Sequence, residues 1–303
     1  MKSLIYSSLL LSAYLVSSCD KNNLEPEIQV MPKLNIQDSL AMIDIYEMGN
    51  ISNWYYENEN WNPADLKTWR SIKYELDTIT KEYRIVELHI VTDWGGTVPS
   101  EGAISSKIGN LSELRLLQIV GDRISGELPQ EIGKLKNLTH LEIFKTNLSG
   151  SLPDDLFNSS YYRVMIAHNP KITGTLPSSL AYLESIPYKT EFYIGDTGIT
   201  GKIPKGIHAN IKLENNNLTE YPFEYTLQYD DSQNLTTEYI GVTAHRNRIS
   251  GTIPDEILND TVRIFALTRH VGYQQEGYGY TNMPPYEKLK NDYLIYLNNR
   301  RPK

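Results

Sequence analysis

The side chains best able to do chemistry are six histidines, one cysteine and 37 acidic residues, and their spacing argues against catalysis. No H-E-x-x-H, G-x-S-x-G or G-x-x-x-x-G-K run and no paired-carboxylate motif occurs. Metal-assisted hydrolysis, acyl transfer from a serine elbow and phosphate cradling therefore lack their usual residue sets. His89, His140 and His245 share a face by strand phase, but their segments are not all neighbours, so they read as surface imidazoles rather than zinc ligands. The lone Cys19 excludes disulfides within the chain and cysteine-ligated zinc. No enzymatic activity, metal or cofactor is expected. A net charge of -8 without a Lys/Arg-rich run leaves no footprint for nucleic acid.

What the spacing supplies is a recognition face. In segments of the form x-L-x-L-x, alternate side chains point to opposite sides of a strand, so the leucines go to the core and the intervening residues build a surface. The central column of that surface is His89, Gln118, Glu142, Met165, Tyr193, Lys212, Thr243 and Phe265. The column after it contains Val91, Val120, Phe144, Ala167, Gly195, Glu214, His245 and Leu267; the one before includes Glu87, Leu116, His140, Arg163, Glu191, Gly241 and Arg263. Aromatic and aliphatic groups among mixed charges suit a protein or peptide ligand. Phe144, Tyr193 and Phe265, with Arg163 nearby, are the expected anchors, and Glu142, Met165, His140 and Gln118 surround them.

The elements that must position these side chains repeat. Aliphatic-proline pairs recur at Val98-Pro99, Leu128-Pro129, Leu152-Pro153, Leu176-Pro177, Ile203-Pro204 and Ile253-Pro254, with a degenerate Tyr221-Pro222, and Pro129, Pro153 and Pro177 stand 24 residues apart. Before each pair runs L-x-x-L-x-L-x-x-N/T/D-x-L-x-G, clearest in Leu114, Leu117, Ile119, Asp122, Ile124, Gly126 and in Leu138, Leu141, Ile143, Thr146, Leu148, Gly150. Burying the five or so aliphatics of one such unit releases less free energy than ordering its backbone consumes, so the units fold only as a stack. Asp93, Asp122, Thr146, Asn169, Thr197, Asn216 and Asn247 occupy one position of the repeat and form a structural ladder, since their side chains hydrogen-bond tight-turn backbone. Downstream, "PQEIGKLKNL" and "PSSLAYLESI" turn aliphatics inward on a return segment that is a short helix or 3₁₀ turn.

These residues resemble the leucine-rich repeat family in its plant-type pattern, LxxLxLxxNxLSGxIPxxIGxL, from about residue 85 to 267. The resemblance implies an α/β repeat solenoid, a right-handed superhelix with a parallel sheet lining its concave face, used for binding. Two departures mark irregular coils. Ser105 stands where a proline belongs, and Pro204 to Pro222 and Pro222 to Pro254 are 18 and 32 residues apart, with an extended excursion expected within 205–238.

Both ends differ from the repeats. Lys2 and the apolar run 4–16 read as an export signal, and "LVSSCD" resembles the lipobox of bacterial lipoproteins. That likeness implies a signal peptide over 1–18, a lipidated Cys19 as the only membrane attachment, and a bacterial outer-membrane location on the cell surface or periplasmic face, as in lipoproteins of Bacteroidetes. Residues 19–37 read as a tether and 38–84 as an N-terminal cap, with a helix from the N-cap Asp38 through Leu40, Ile43 and Tyr46 to Gly49 and a second short helix opened by Pro63. Trp54, Trp61 and Trp69 cover the stack's end or, in a carbohydrate-binding alternative, form an aromatic platform. The repeats span 85–267, ending in a strand over 262–267. Residues 268–303 form a C-terminal cap, with a helix carrying Tyr286, Leu289, Tyr293 and Leu297.

Overall fold

The computed structural model describes residues 33–49, 68–92, 102–183, 191–226 and 241–300. Cys19, Asp93, Trp54, Trp61, Pro63 and residues 227–238 of the expected 205–238 excursion lie outside them. Among the described residues no helix is long and apolar enough to cross a membrane.

The leucine periodicity produces a sheet of eight strands in the order β1-β2-β3-β5-β7-β9-β11-β13. β1 (Ile72–Leu76) and β2 (Tyr83–Val91) form an antiparallel hairpin. β3 (Leu116–Val120), β5 (His140–Phe144), β7 (Arg163–Asn169), β9 (Glu191–Thr197), β11 (Ile211–Lys212) and β13 (Val242–Thr243) then add in parallel, one per coil. β1 covers the first edge with alternating charges, which blunts the row of unpaired backbone groups that a parallel stack would otherwise present. Shorter ladders on the opposite limb pair β4 (Ser125–Glu127) with β6 (Asn147–Ser151) and β8 (Ile172–Thr173), and β10 (Thr200–Lys202) with β12 (Asn217–Glu220).

Between the two limbs the repeat aliphatics form one continuous core. The residues before the prolines, Leu128, Leu152, Leu176, Ile203 and Ile253, are all buried. In the degenerate coil Tyr221 fills that slot, and its hydroxyl donates to the carbonyl of Val242 at 2.8 Å, so the substitution leaves no polar orphan. Return segments are 3₁₀ turns at Gln130–Lys134 and Ser178–Tyr182. Ser105 replaces proline by accepting a hydrogen bond from the Lys107 amide, 3.1 Å, at the start of an equivalent turn.

From β5 on, each strand of the large sheet runs into a tight turn marked by a left-handed residue: Lys145, His168, Asp196, Asn215 and Arg246 have φ of 53–57°. The next position is the polar ladder. Asn169 Oδ1 accepts from both the amide and the hydroxyl of Thr146, and its Nδ2 donates to the Ile143 carbonyl. Asn216 does the same for Thr197 and Ile194, and Asn247 serves Leu218 and Leu213. Asp122, by contrast, is exposed. The Ser/Thr of the S-G pair has a matching task on the other limb: the hydroxyls of Ser149, Thr200 and Thr219 donate to the carbonyls of Gly126, Gly174 and Gly201 in the preceding coil.

At the first end, α1 (Ile36–Gly49) begins at Asn35, whose side chain accepts the Gln37 and Asp38 amides. Asp38 is therefore not the N-cap. It is buried, takes both Arg84 Nε and Nη2 at 3.0 and 3.1 Å, and accepts the Ile85 amide. Its carboxylate holds the Arg84 guanidinium above its ordinary pKa. The buried face is Ala41, Met42, Ile45 and Tyr46, while Leu40 and Ile43 are half-buried. Trp69 is buried edge-on against Tyr46, a packing role.

The far end departs most from the sequence reading. Residues 262–267 are not a strand; they lie in α3 (Thr261–Val271), started by Asp260 accepting the Val262 and Arg263 amides, after the single turn α2 (Asp255–Leu258). α4 (Tyr286–Arg300) packs on α3 through Leu289. Phe265 is thereby removed from the central column and lies stacked on Tyr293, centroids 4.3 Å apart. Arg263 and Leu267 leave their columns with it. β15 (Gly279–Tyr280) pairs with β14 (Ser250–Gly251), and Gln274, Gln275 and Asn282 bind the backbone of the last coils where another coil's side chains would stand.

Candidate functional site

The parallel register aligns the central column from His89 to Thr243, each residue opposite the next across the ladder. Its two halves behave differently. On β2, β3 and β5 the polar groups satisfy one another. Gln118 Nε2 donates to Glu142 at 3.1 Å, so its oxygen faces His89, whose Nδ1–H donates to it at 2.9 Å. Glu87 lies 3.7 Å from the other ring nitrogen and takes Lys73 Nζ at 2.9 Å, which pulls its carboxyl below the usual range. His140 is held by Thr139 and lies beside Tyr162, and Phe144 packs edge-on against His168 at 5.2 Å.

From β7 onward the column is Met165, Tyr193, Lys212 and Thr243, and no such chain of side-chain bonds joins it among the described residues. A cleft of about 600 Å³ opens there, floored by β7, β9, β11 and β13 and walled by Arg269 and His270 of α3. Tyr193 is its aromatic surface. A Cβ at Gly195 would come within 2.6 Å of the tyrosine's ring and hydroxyl, so glycine there lets the ring lie flat along its own strand. The hydroxyl donates to Asp196 at 3.2 Å; burial, then Asp196 and Glu214, push its pKa up to about 12. Asp196 is further held by His168 and Asn215 on the rim.

His270 is only 7% exposed. Burial, helped by nearby His245 and Arg269, lowers its pKa to about 4, so the ring is neutral at pH 7. Because the Tyr221 hydroxyl is already donated to Val242, the 2.8 Å contact between Tyr221 Oη and His270 Nδ1 is made by Nδ1–H donating to Oη. Nε2 is left as an acceptor. A Cβ at residue 241 would lie 3.5 Å from it, and Gly241 keeps that side open. Thr243 Oγ1 is buried without a partner beside the cleft.

Of the eight expected binding residues, the cleft gathers Arg163, Met165 and Tyr193. Glu142 and Gln118 belong to the self-satisfied half, His140 and Phe144 lie on its borders, and Phe265 lies in α3. Sequence reasoning missed Arg269 and His270 because they were assigned to the tail; Asp260, a good N-cap three residues before Arg263, was the available signal for a helix. Among the described residues no group of three His, Asp, Glu or Cys could hold a metal ion.

No family model matches the sequence, and neither does any curated protein. Solved structures do resemble the fold. A plant ice-binding protein superposes with a TM-score of 0.52 at 22% identity, over 73% of this chain and 66% of its own. PEPR1-AtPEP1 gives 0.52 at 18% over 80% of this chain, and the ectodomain of the Arabidopsis thaliana receptor kinase GASSHO1/SCHENGEN3, in complex with CASPARIAN STRIP INTEGRITY FACTOR 2, gives 0.51 at 18% over 84%. This chain spans 31% of each of the latter two. The architecture is a leucine-rich-repeat-type α/β solenoid.

Proposed function

We propose that the protein is a non-enzymatic recognition module that binds a protein or peptide on its concave face, with the cleft over β7–β13 as the anchor site. The observation carrying this reading is the contrast within one sheet: half of the central column is internally hydrogen-bonded, whereas the other half offers Met165, a flat Tyr193 and unshared polar groups around an open cleft. Concave, partly apolar clefts with a few placed polar atoms are where ligands seat. The same fold is found with a separate factor in the GASSHO1/SCHENGEN3 complex, which supports the assignment. The ice-binding neighbour is a weaker guide, because the exposed positions after the S-G and T-G pairs are mixed, with Glu127 and Lys202 beside Ser151 and Thr175. The lipobox-like "LVSSCD" favours attachment through a lipidated Cys19 at a bacterial outer membrane, with a signal peptide removed before it.

The test is to display the protein on arrays of host proteins, peptides and glycans beside its Tyr193→Ala and Gln118→Ala variants. Saturable protein or peptide binding that weakens at least about tenfold in Tyr193→Ala and survives in Gln118→Ala is expected. Equal loss in both variants, or none in either, refutes the cleft as the anchor. Glycan capture lost in Tyr193→Ala would instead assign the cleft to carbohydrate.

A further inference from the structure

The cleft's chemistry narrows what it can take, provided that it is the binding site. Charges of both signs stand around it: Arg163, Lys212, Arg269 and Glu191 line it, and Asp196, Glu214 and Arg246 act on Tyr193. A charged ligand group would approach one sign only with the other close by, as at the Arg163–Glu191 pair, 3.6 Å apart, and would still lose its water. Selectivity is left to the neutral groups of the floor, and two of these are unoccupied. Rings elsewhere on the concave face have partners within the protein, His140 with Tyr162, Phe144 with His168 and His245 with Tyr273, whereas Tyr193 has no ring against it among the described residues. Its hydroxyl is committed to Asp196 and its far end lies over Gly195, so it offers a flat π face, with the Met165 thioether beside it across the ladder. The second group is His270 Nε2. The residue is almost wholly buried, its Nδ1 hydrogen goes to Tyr221, and nothing among the described residues donates to Nε2, which borders the cleft at Gly241. Thr243 Oγ1 also lacks a partner but is closed to solvent.

We infer that the peptide ligand inserts an uncharged aromatic side chain bearing one hydrogen-bond donor, a tryptophan or a tyrosine, with its ring on Tyr193 and Met165 and its N–H or O–H donated to His270 Nε2. Offset stacking and sulfur–ring contact use the flat floor. Phenylalanine would cover the Nε2 lone pair and strip its water without replacing it. A carboxylate would bring a second lone pair to the same atom. An ammonium can donate, but it would shed its water beside Arg269, whose charge already bears on His270. A sugar would bring several hydroxyls to a floor whose buried side chains leave one accessible acceptor unused. A cleft of about 600 Å³ has room for the aromatic side chain and the backbone on either side of it.

Glycine pentapeptides capped at both ends, with one variable central residue, titrated against the full chain by ligand-detected NMR, test this. With tryptophan or tyrosine at the centre, saturable binding is expected, little changed by salt, and the tighter of the two identifies the side chain. Methylating the donor atom, as 1-methyltryptophan or O-methyltyrosine, keeps the ring and is expected to weaken binding roughly tenfold with the protein unaltered. In His270→Asn, which keeps a donor toward Tyr221 and removes Nε2, that difference is expected to vanish, whereas Tyr193→Leu should weaken parent and methylated forms alike. Phenylalanine or the methylated forms binding as tightly as the parents, with the same dependence on Tyr193, would overturn the inference and leave the cleft reading standing. Tighter binding with glutamate or lysine at the centre, binding of methyl β-glucopyranoside in place of the peptides, or no binding by any peptide overturns it as well; the cleft reading then rests on the Tyr193→Ala array comparison alone.

Discussion

β3 and β9 have the same backbone course, a parallel partner on each side and the same phase of buried aliphatics, yet one presents a closed surface and the other an open site. Gln118 sits between an imidazole and a carboxylate that each complete it. Tyr193 sits between a thioether and an exposed lysine, above a glycine that lets it lie flat. The solenoid therefore supplies a grid of positions, and the chemistry of neighbouring positions decides whether the grid is occupied from within. A helix across the last strands then turns an open row into a walled cleft.

The sharpest way to break this contrast is at the buried anchor of the closed half. Asp38→Ala strands Arg84 and the Ile85 amide, and is expected to cost about 3–5 kcal/mol in urea or thermal unfolding, while the folded fraction keeps its ligand affinity. An equal fall in affinity at the cleft would show the two halves to be coupled. Next in size is a pH signature that belongs to the open half. The folded pKa of His270 is about 4 against 6.5 for the free side chain, so between those values the unfolded chain takes up a proton that the folded one refuses. Stability then falls as pH drops from 6.5 towards 4, by up to about 3 kcal/mol, and His270→Asn should flatten that part of the profile relative to wild type. The smallest effects should have opposite signs. Gln118→Leu leaves His89 and Glu142 short of a partner and should destabilise by about 1 kcal/mol, whereas Thr243→Val removes an orphaned hydroxyl and should stabilise by a similar amount. Matching signs would mean that the polar groups of both halves are equally well satisfied.

The repeat made the sheet legible because period-2 phase and aliphatic-proline spacing are local signals, and the column from His89 to Thr243 needs only those. The cleft was not legible, for two reasons. Its wall comes from a helix whose segment, VRIFAL, carries enough alternating apolar residues to pass for one more strand, so Phe265 was placed on a face it never reaches. The distinction between Gln118 and Tyr193 depends on hydrogen bonds between side chains about one repeat apart, which single positions do not announce. At the first end, Asn35 rather than Asp38 caps the helix because Asp38 is needed by Arg84, a partner 46 residues away.

The polar ladder has a direction. Asn169, Asn216 and Asn247 reach back to complete turns in earlier coils, and the Ser/Thr hydroxyls of the other limb reach back to earlier glycine carbonyls. A coil's turn is thus finished by material synthesised after it. During translation the leading edge of the stack would always hold one incomplete turn, and a premature stop would freeze it there, with an amide, a hydroxyl and a carbonyl facing nothing. Deleting coils from the beginning leaves the remaining turns complete and orphans instead the back-reaching Asn side chain and Ser/Thr hydroxyl of the new first coil. Gln274, Gln275 and Asn282 are where the chain stops borrowing from what comes next, which makes that short tail the signal that assembly is finished.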